Sequence, residues 1–145
     1  MSFDQLNAFA TQNPVLGLIF AGLTLALIYT EIARRFSGFA HIGVARTTEL
    51  VNREDALLID VSPATDFEKG HIVGSQSIPM AQFNPKTHKS LAQSQERKII
   101  LVCRAGVTAD SAAKQLVKAG FKHVHVLDGG IQSWRQADLP LRSGK

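Results

Sequence analysis

Charge is missing where the chain begins. From Gln5 to Thr30, 26 consecutive residues carry no charged side chain. Cysteine is almost missing too, since Cys103 is the single thiol in 145 residues. One thiol excludes an intramolecular disulfide and any thiolate-only zinc or iron–sulfur centre held by one chain. No basic residue precedes Arg34, so the basic start of a secretory signal peptide is lacking. Internal repeats and low-complexity tracts are absent. A net charge of +4 is too mild to suggest a nucleic-acid partner, and none is expected. A charged fraction of 19% with 45% hydrophobic residues argues against a disordered chain.

The charge is unevenly spread. Residues 1–30 hold one charged side chain, Asp4; residues 31–80 hold five basic and seven acidic; residues 81–145 hold eleven basic and four acidic. The chain is a greasy amino end joined to an ordinary polar body. Val15–Tyr29 is apolar on every helical face, where a soluble amphipathic helix would keep a polar stripe. With its uncharged flanks it is long enough to cross roughly 30 Å of hydrocarbon. The sequence predicts a tail and single transmembrane helix within residues 1–36, the helix at about 10–31, followed by one domain over 40–145. A signal peptide, a buried core helix and a flat interfacial helix fit less well. Arg34 and Arg35 directly after the span place the amino end outside and the body in the cytoplasm. A lone cysteine suits that reducing compartment. Gly17/Ala21 and Gly22/Ala26 offer small-residue spacing for pairing with another membrane helix.

In the body, short apolar runs alternate with helical patterns. Leu57–Val61, Lys98–Cys103 and His123–Leu127 read as strands, and Gln76–Pro79 as a weaker one. Ser62 is the expected N-cap of a helix with Pro63 at its first position and Gly70 as its terminator. A short helix is expected from Thr47, and another over 108–119, whose face is Ala109, Ala112, Ala113, Leu116 and Val117, closed by Gly120. Residues 80–97 read as irregular. Strand–helix alternation implies an α/β domain with a mainly parallel sheet.

Cys103 closes a strand and is followed by Arg104, Ala105, Gly106, Val107 and Thr108 before a helix begins. In open α/β sheets, ligands bind at the carboxyl ends of strands. A thiol between a strand end and a helix N-terminus meets unpaired N–H groups and partial positive charge, which favour the nucleophilic thiolate. Gly106 permits a left-handed turn that aims successive N–H groups at an anion. Arg104 adds a positive charge. Asp60 ends a neighbouring strand and His71 lies downstream; both are expected to support the site through packing and hydrogen bonding. Trp134 is expected in the core, and Gly129 and Gly130 beside the loop.

Cys103-Arg-Ala-Gly-Val-Thr108, Ala119-Gly-Phe121 and Val126-Leu-Asp-Gly-Gly-Ile131 with Trp134 resemble the signatures of a rhodanese-type sulfurtransferase domain. So do Leu58-Ile-Asp-Val61, Asp66-Phe-Glu-Lys-Gly-His-Ile72 and Gly74-Ser75 with Ile78-Pro79. The likeness runs from about residue 44 to 141. It implies a five-stranded parallel sheet between helices and a catalytic Cys103 that accepts sulfane sulfur, holds it as a persulfide and passes it to a thiol. It implies no cofactor and no metal. A rhodanese domain on one transmembrane helix is an arrangement of bacterial members, which suggests the inner membrane, with the lipid bilayer and a further membrane protein as partners. The six-residue loop from Cys103 to Thr108 is the length the family associates with sulfur rather than larger oxyanions. A tyrosine-phosphatase reading fails because position 109, where that chemistry needs arginine, is alanine. No histidine is singled out by spacing as the base of a Cys/His dyad. Two positions depart from the family: Thr108 and Ser62 stand where arginine is usual. Poor thiosulfate turnover and a better fit to a persulfide donor are therefore expected. The competing reading is a membrane-tethered module that keeps the fold for interaction without catalysis.

Overall fold

The computed structural model describes residues 2–145, which divide into a unit ending at Ser37 and a unit over Gly38–Lys145. The first unit holds α1 (Phe3–Gln12) and α2 (Pro14–Arg35). Asn13, at φ −131 and ψ 70, ends the first helix, and Pro14 starts the second at a position that needs no N–H. Against the helix expected at about 10–31, the observed α2 starts at Pro14, residues 10–12 belonging to α1, and it runs four residues beyond position 31. Its 22 residues measure about 33 Å. None of them is buried, and the helix is long and apolar enough to cross a membrane. The hydroxyls of Thr24 and Thr30 donate back to the carbonyls of Phe20 and Leu27, so the helix satisfies its own polar groups. Gly17 faces Ala10 of α1 at ordinary contact distance, whereas Gly22 faces open space.

The second unit runs β1 (Ala40–Ile42), α3 (Val44–Arg53), β2 (Leu57–Asp60), α4 (Ala64–Lys69), β3 (His71–Ile72) and β4 (Gln76–Ser77). It continues through a 3-10 turn (Met80–Gln82), α5 (Lys89–Ala92), β5 (Ile99–Val102), α6 (Val107–Lys118), β6 (Val124–Leu127), α7 (Gly130–Gln136) and β7 (Leu141–Arg142). Five strands form one parallel sheet in the order β1-β6-β5-β2-β4. The central strands are continuous apolar runs because helices cover both faces. Ile59, Leu101, Val124 and Val126 pack on one face under Ala109, Ala112, Ala113 and Leu116 of α6. Leu58, Ile100, Val102 and Leu127 pack on the other, against Leu50 of α3 and Ile131 and Trp134 of α7.

Several boundaries move, each for a local reason. The helix expected from Thr47 starts at Val44, because the Thr47 and Thr48 hydroxyls bond back to the carbonyls of Gly43 and Val44 inside the helix. Ser62 does not cap α4: Pro63 holds that position, and the Ser62 N–H turns back to Asp60. Phe121 N–H to Leu116 O and Gly120 N–H to Val117 O, both 3.1 Å, close α6 with Gly120 at φ +93. Residues 80–97 contain two short helical turns, and β3 pairs with β7 in a small antiparallel ribbon that two-residue strands could not announce.

Candidate functional site

β5 delivers Cys103 to the carboxyl edge of the sheet. The ladder ends one residue earlier, where Val102 O accepts the Val61 N–H at 2.9 Å. Cys103 leaves the ladder because its own carbonyl accepts the Ile131 N–H from α7, also at 2.9 Å. Gln132 N–H likewise meets Arg104 O at 3.3 Å. This approach requires Gly130, which sits at φ +60 and where a Cβ would overlap the Cys103 carbonyl.

From that anchored start, Gly106 turns the chain at φ +92 and serves as the N-cap of α6. The turn is tight enough to start the helix at Val107, so Val107 and Thr108 form its first turn rather than the end of the loop. The Gly106 N–H donates to Cys103 Sγ at 3.0 Å, and the Ala109 N–H at 3.4 Å. Both amides belong to the N-terminal end of a twelve-residue helix, where backbone N–H groups lack intrahelical partners. A negative sulfur is stabilised there by the two hydrogen bonds and by the helix dipole. The residue as a whole is 4% exposed. Arg104, Ala105, Val107 and Thr108 are exposed around it, and Gly106 is half-buried.

The supporting residues divide. Asp60 pairs in register with Val102, one residue before the thiol, and is buried. Its Oδ1 accepts the Ser62 N–H at 2.9 Å. Burial pushes its carboxyl above the ordinary range, against the hydrogen bonds from Ser62 and the nearby His71, which act the other way. Asp60 therefore braces the loop between β2 and α4. His71 is buried; its ring stacks on Phe67 at 3.7 Å, and its Nδ1–H donates to Phe67 O at 2.8 Å. Its observed partners make it a packing residue. Trp134 is buried and donates Nε1–H to Pro140 O at 3.1 Å.

The structure adds residues that spacing did not single out. Arg104 Nη1 lies 3.8 Å from Asp66 Oδ1, and Lys69 Nζ lies 3.4 Å from the same oxygen. His41 Nε2 meets Asp110 Oδ1 at 2.8 Å, tying the edge strand β1 to the first turn of α6. The Arg104–Asp66 and His41–Asp110 contacts join segments far apart in the chain, so no local pattern could have flagged them, whereas Lys69 and Asp66 are three residues apart on α4. Among the described residues, no cluster of three or more His, Cys, Asp or Glu is placed to hold a metal.

A strand-end thiol cradled by main-chain amides in a five-stranded parallel sheet defines a cysteine-loop α/β domain. Residues 44–137 match the rhodanese-like domain, and the chain belongs to that family. Thiosulfate sulfurtransferase GlpE of Pseudoalteromonas translucida is 34% identical over 99 residues, covering 68% of this chain and 91% of that protein. The uncharacterized protein YibN of Escherichia coli K12 is 30% identical over 142 residues, 98% of this chain and 99% of its own. That alignment takes in the amino-terminal helices as well as the domain. Among solved structures, the BH2092 protein of Bacillus halodurans superposes with a TM-score of 0.65 at 27% identity, covering 81% of this chain and 85% of that one.

Proposed function

We propose that this chain is a membrane-anchored sulfurtransferase that carries sulfane sulfur as a persulfide on Cys103. The observation that carries the proposal is the pair of N–H groups, from Gly106 and Ala109, directed at Cys103 Sγ. In the loading half, the Cys103 thiolate attacks the outer sulfur of a donor persulfide, R–S–SH. The donor S–S bond breaks, its electron pair leaves with R–S⁻, and Cys103–S–SH forms. In the unloading half, an acceptor thiolate attacks the outer sulfur, a new S–S bond forms on the acceptor, and the electron pair returns to Cys103. Sulfane sulfur moves and no external oxidant or reductant is needed. The amides stabilise the anion in both halves without acting as acids or bases.

Arg104, Ala105, Gly106, Val107 and Thr108 form the substrate rim in this reading, with Asp60 and His71 in support. Residues 1–36 are the tail and anchor, spanning the inner membrane through α2, with Arg34 and Arg35 on the cytoplasmic side. Residues 40–145 are the sulfur-carrying domain. Thr108 adds no cation beside the thiol, so a persulfide donor suits the rim better than anionic thiosulfate.

Intact-protein mass spectrometry after polysulfide treatment tests the proposal. The wild type is expected to gain one sulfur atom and Cys103→Ser none, with thiosulfate loading far less efficiently than polysulfide. A wild type that gains no sulfur overturns the carrier role and leaves the fold as an interaction module. Equal loading by the two donors overturns the donor preference.

A further inference from the structure

Beside the cysteine loop lies a recess. It is lined by Ser62, Asp66, Lys69, Gly70, Arg104, Ile131 and Arg135, opens to solvent and has a volume of about 40 Å³, room for a carboxylate rather than a whole peptide. Three elements build it: α4 with the turn before it, the residue after Cys103, and α7. Its floor is the small side chain of Ser62 and the apolar Ile131, both buried. Its rim is cationic. Lys69, Arg104 and Arg135 face a single carboxylate, Asp66, which is shared between Lys69 at 3.4 Å and Arg104 at 3.8 Å. Among the described residues, no carboxylate lies within ion-pair distance of Arg135, whose exposed guanidinium reaches over Gly70.

We propose that this recess binds the carboxylate of a small anionic thiol, the class of acceptor that unloads Cys103. The inference rests on the sulfur-carrier reading and names its acceptor. Charge gives the sign of the ligand: three cations against one anion leave an excess of positive charge that Asp66 cannot neutralise. Geometry gives the reach. Arg104 is the residue after Cys103, its backbone is pinned by the Gln132 N–H, and its side chain extends to Asp66 at the recess. The recess thus lies one arginine side chain from the sulfur loop. A thiol with its carboxylate on Arg135 and Lys69 is held beside Arg104, the residue that follows Cys103. The arginine fork grips a carboxylate through two parallel hydrogen bonds, while a neutral thiol gains nothing there. The opposed arrangement, a cationic thiol such as cysteamine, meets like charge.

The test uses the full chain in detergent, first loaded with polysulfide and then unloaded by thiols matched for thiolate concentration. Glutathione is expected to remove the added sulfur about tenfold faster than its diethyl ester, in which the same sulfur carries no carboxylate. Arg135→Gln and Lys69→Gln are expected to shrink that ratio severalfold each, and Ser62→Arg, which fills the recess, to bring it near one. In parallel, S-methylglutathione, which cannot take sulfur, is titrated against the unloaded chain by heteronuclear NMR. Saturable shifts at Gly70 and Ile131 that vanish in Ser62→Arg support the recess whether or not Cys103 loads. Equal unloading by glutathione and its ester, or no saturable shift at those residues, overturns the proposal. Failure of polysulfide loading with the shifts intact would instead overturn only the carrier reading.

Discussion

Gly130 carries more of the site than any charged residue does. Its missing Cβ lets α7 bring the Ile131 N–H onto the Cys103 carbonyl, and its φ of +60 lies in the left-handed region that glycine enters most readily. Gly130→Ala is expected to destabilise the domain by about 2–4 kcal/mol, through strain and a forced retreat of α7. It should also slow sulfur loading of the molecules that still fold. Gly43→Ala is the control, since no atom lies within 4 Å of its Cβ position, and it should cost less than about 1 kcal/mol. Urea unfolding of the two variants checks the contrast. At this scale the sequence was partly readable. Cys103 and Gly106 stand in a strand–turn–helix order that announces an anion cradle. The partnership of Arg104 with Asp66 was not readable, because it joins positions 38 apart whose types are ordinary on any surface.

Strands and helices explain where reading succeeded and where it slipped. β5 and β2 are buried on both faces, so their runs of Ile, Leu and Val mark them without ambiguity. β1 escaped notice because Ala40–Ile42 is short and its outer side is a sheet edge. The Ser62 cap failed because α4 begins one residue later than expected, with Pro63 at the cap position and Ser62 turned back to the buried Asp60. β6 has a further property. His125 sits between β1 and β5, partly buried, with its Nδ1 unpaired. Burial, then the positive charges of Lys98, Arg46 and His123, hold its ring below the ordinary value of 6.5. The folded state therefore prefers the neutral ring, while the unfolded chain takes up the proton at the ordinary pH. Stability is full above about pH 6.5 and is lost as pH falls through the lowered value. Thermal unfolding between pH 7.5 and about pH 5 is expected to show a steeper loss for the wild type than for His125→Gln. Parallel curves would refute the assignment.

On the scale of the whole molecule, two units differ in what stabilises them. Residues 38–145 enclose two apolar layers around a sheet, whereas α2 presents apolar side chains outward along its length. The first arrangement buries its apolar side chains within itself; the second leaves them exposed on a helix long and apolar enough to cross a membrane. A fragment of residues 38–145 is expected to stay soluble, unfold in one cooperative transition and take up one sulfur on Cys103 as the full chain does. Size-exclusion chromatography and mass spectrometry without detergent check this. An aggregated or uncooperative fragment would mean that the amino-terminal unit supplies part of the fold.

The hydrogen bond from Ile131 to the carbonyl of Cys103 also sets an order of events during synthesis. The sheet's central strands and α6 emerge from the ribosome before the segment that fixes the end of β5. Until α7 arrives, the thiol sits at the tip of a strand without the Ile131 N–H on its carbonyl. If Cys103 carries sulfur as proposed, that role waits until nearly the entire domain has been made, because a chain ending before Ile131 lacks the N–H that holds the Cys103 carbonyl.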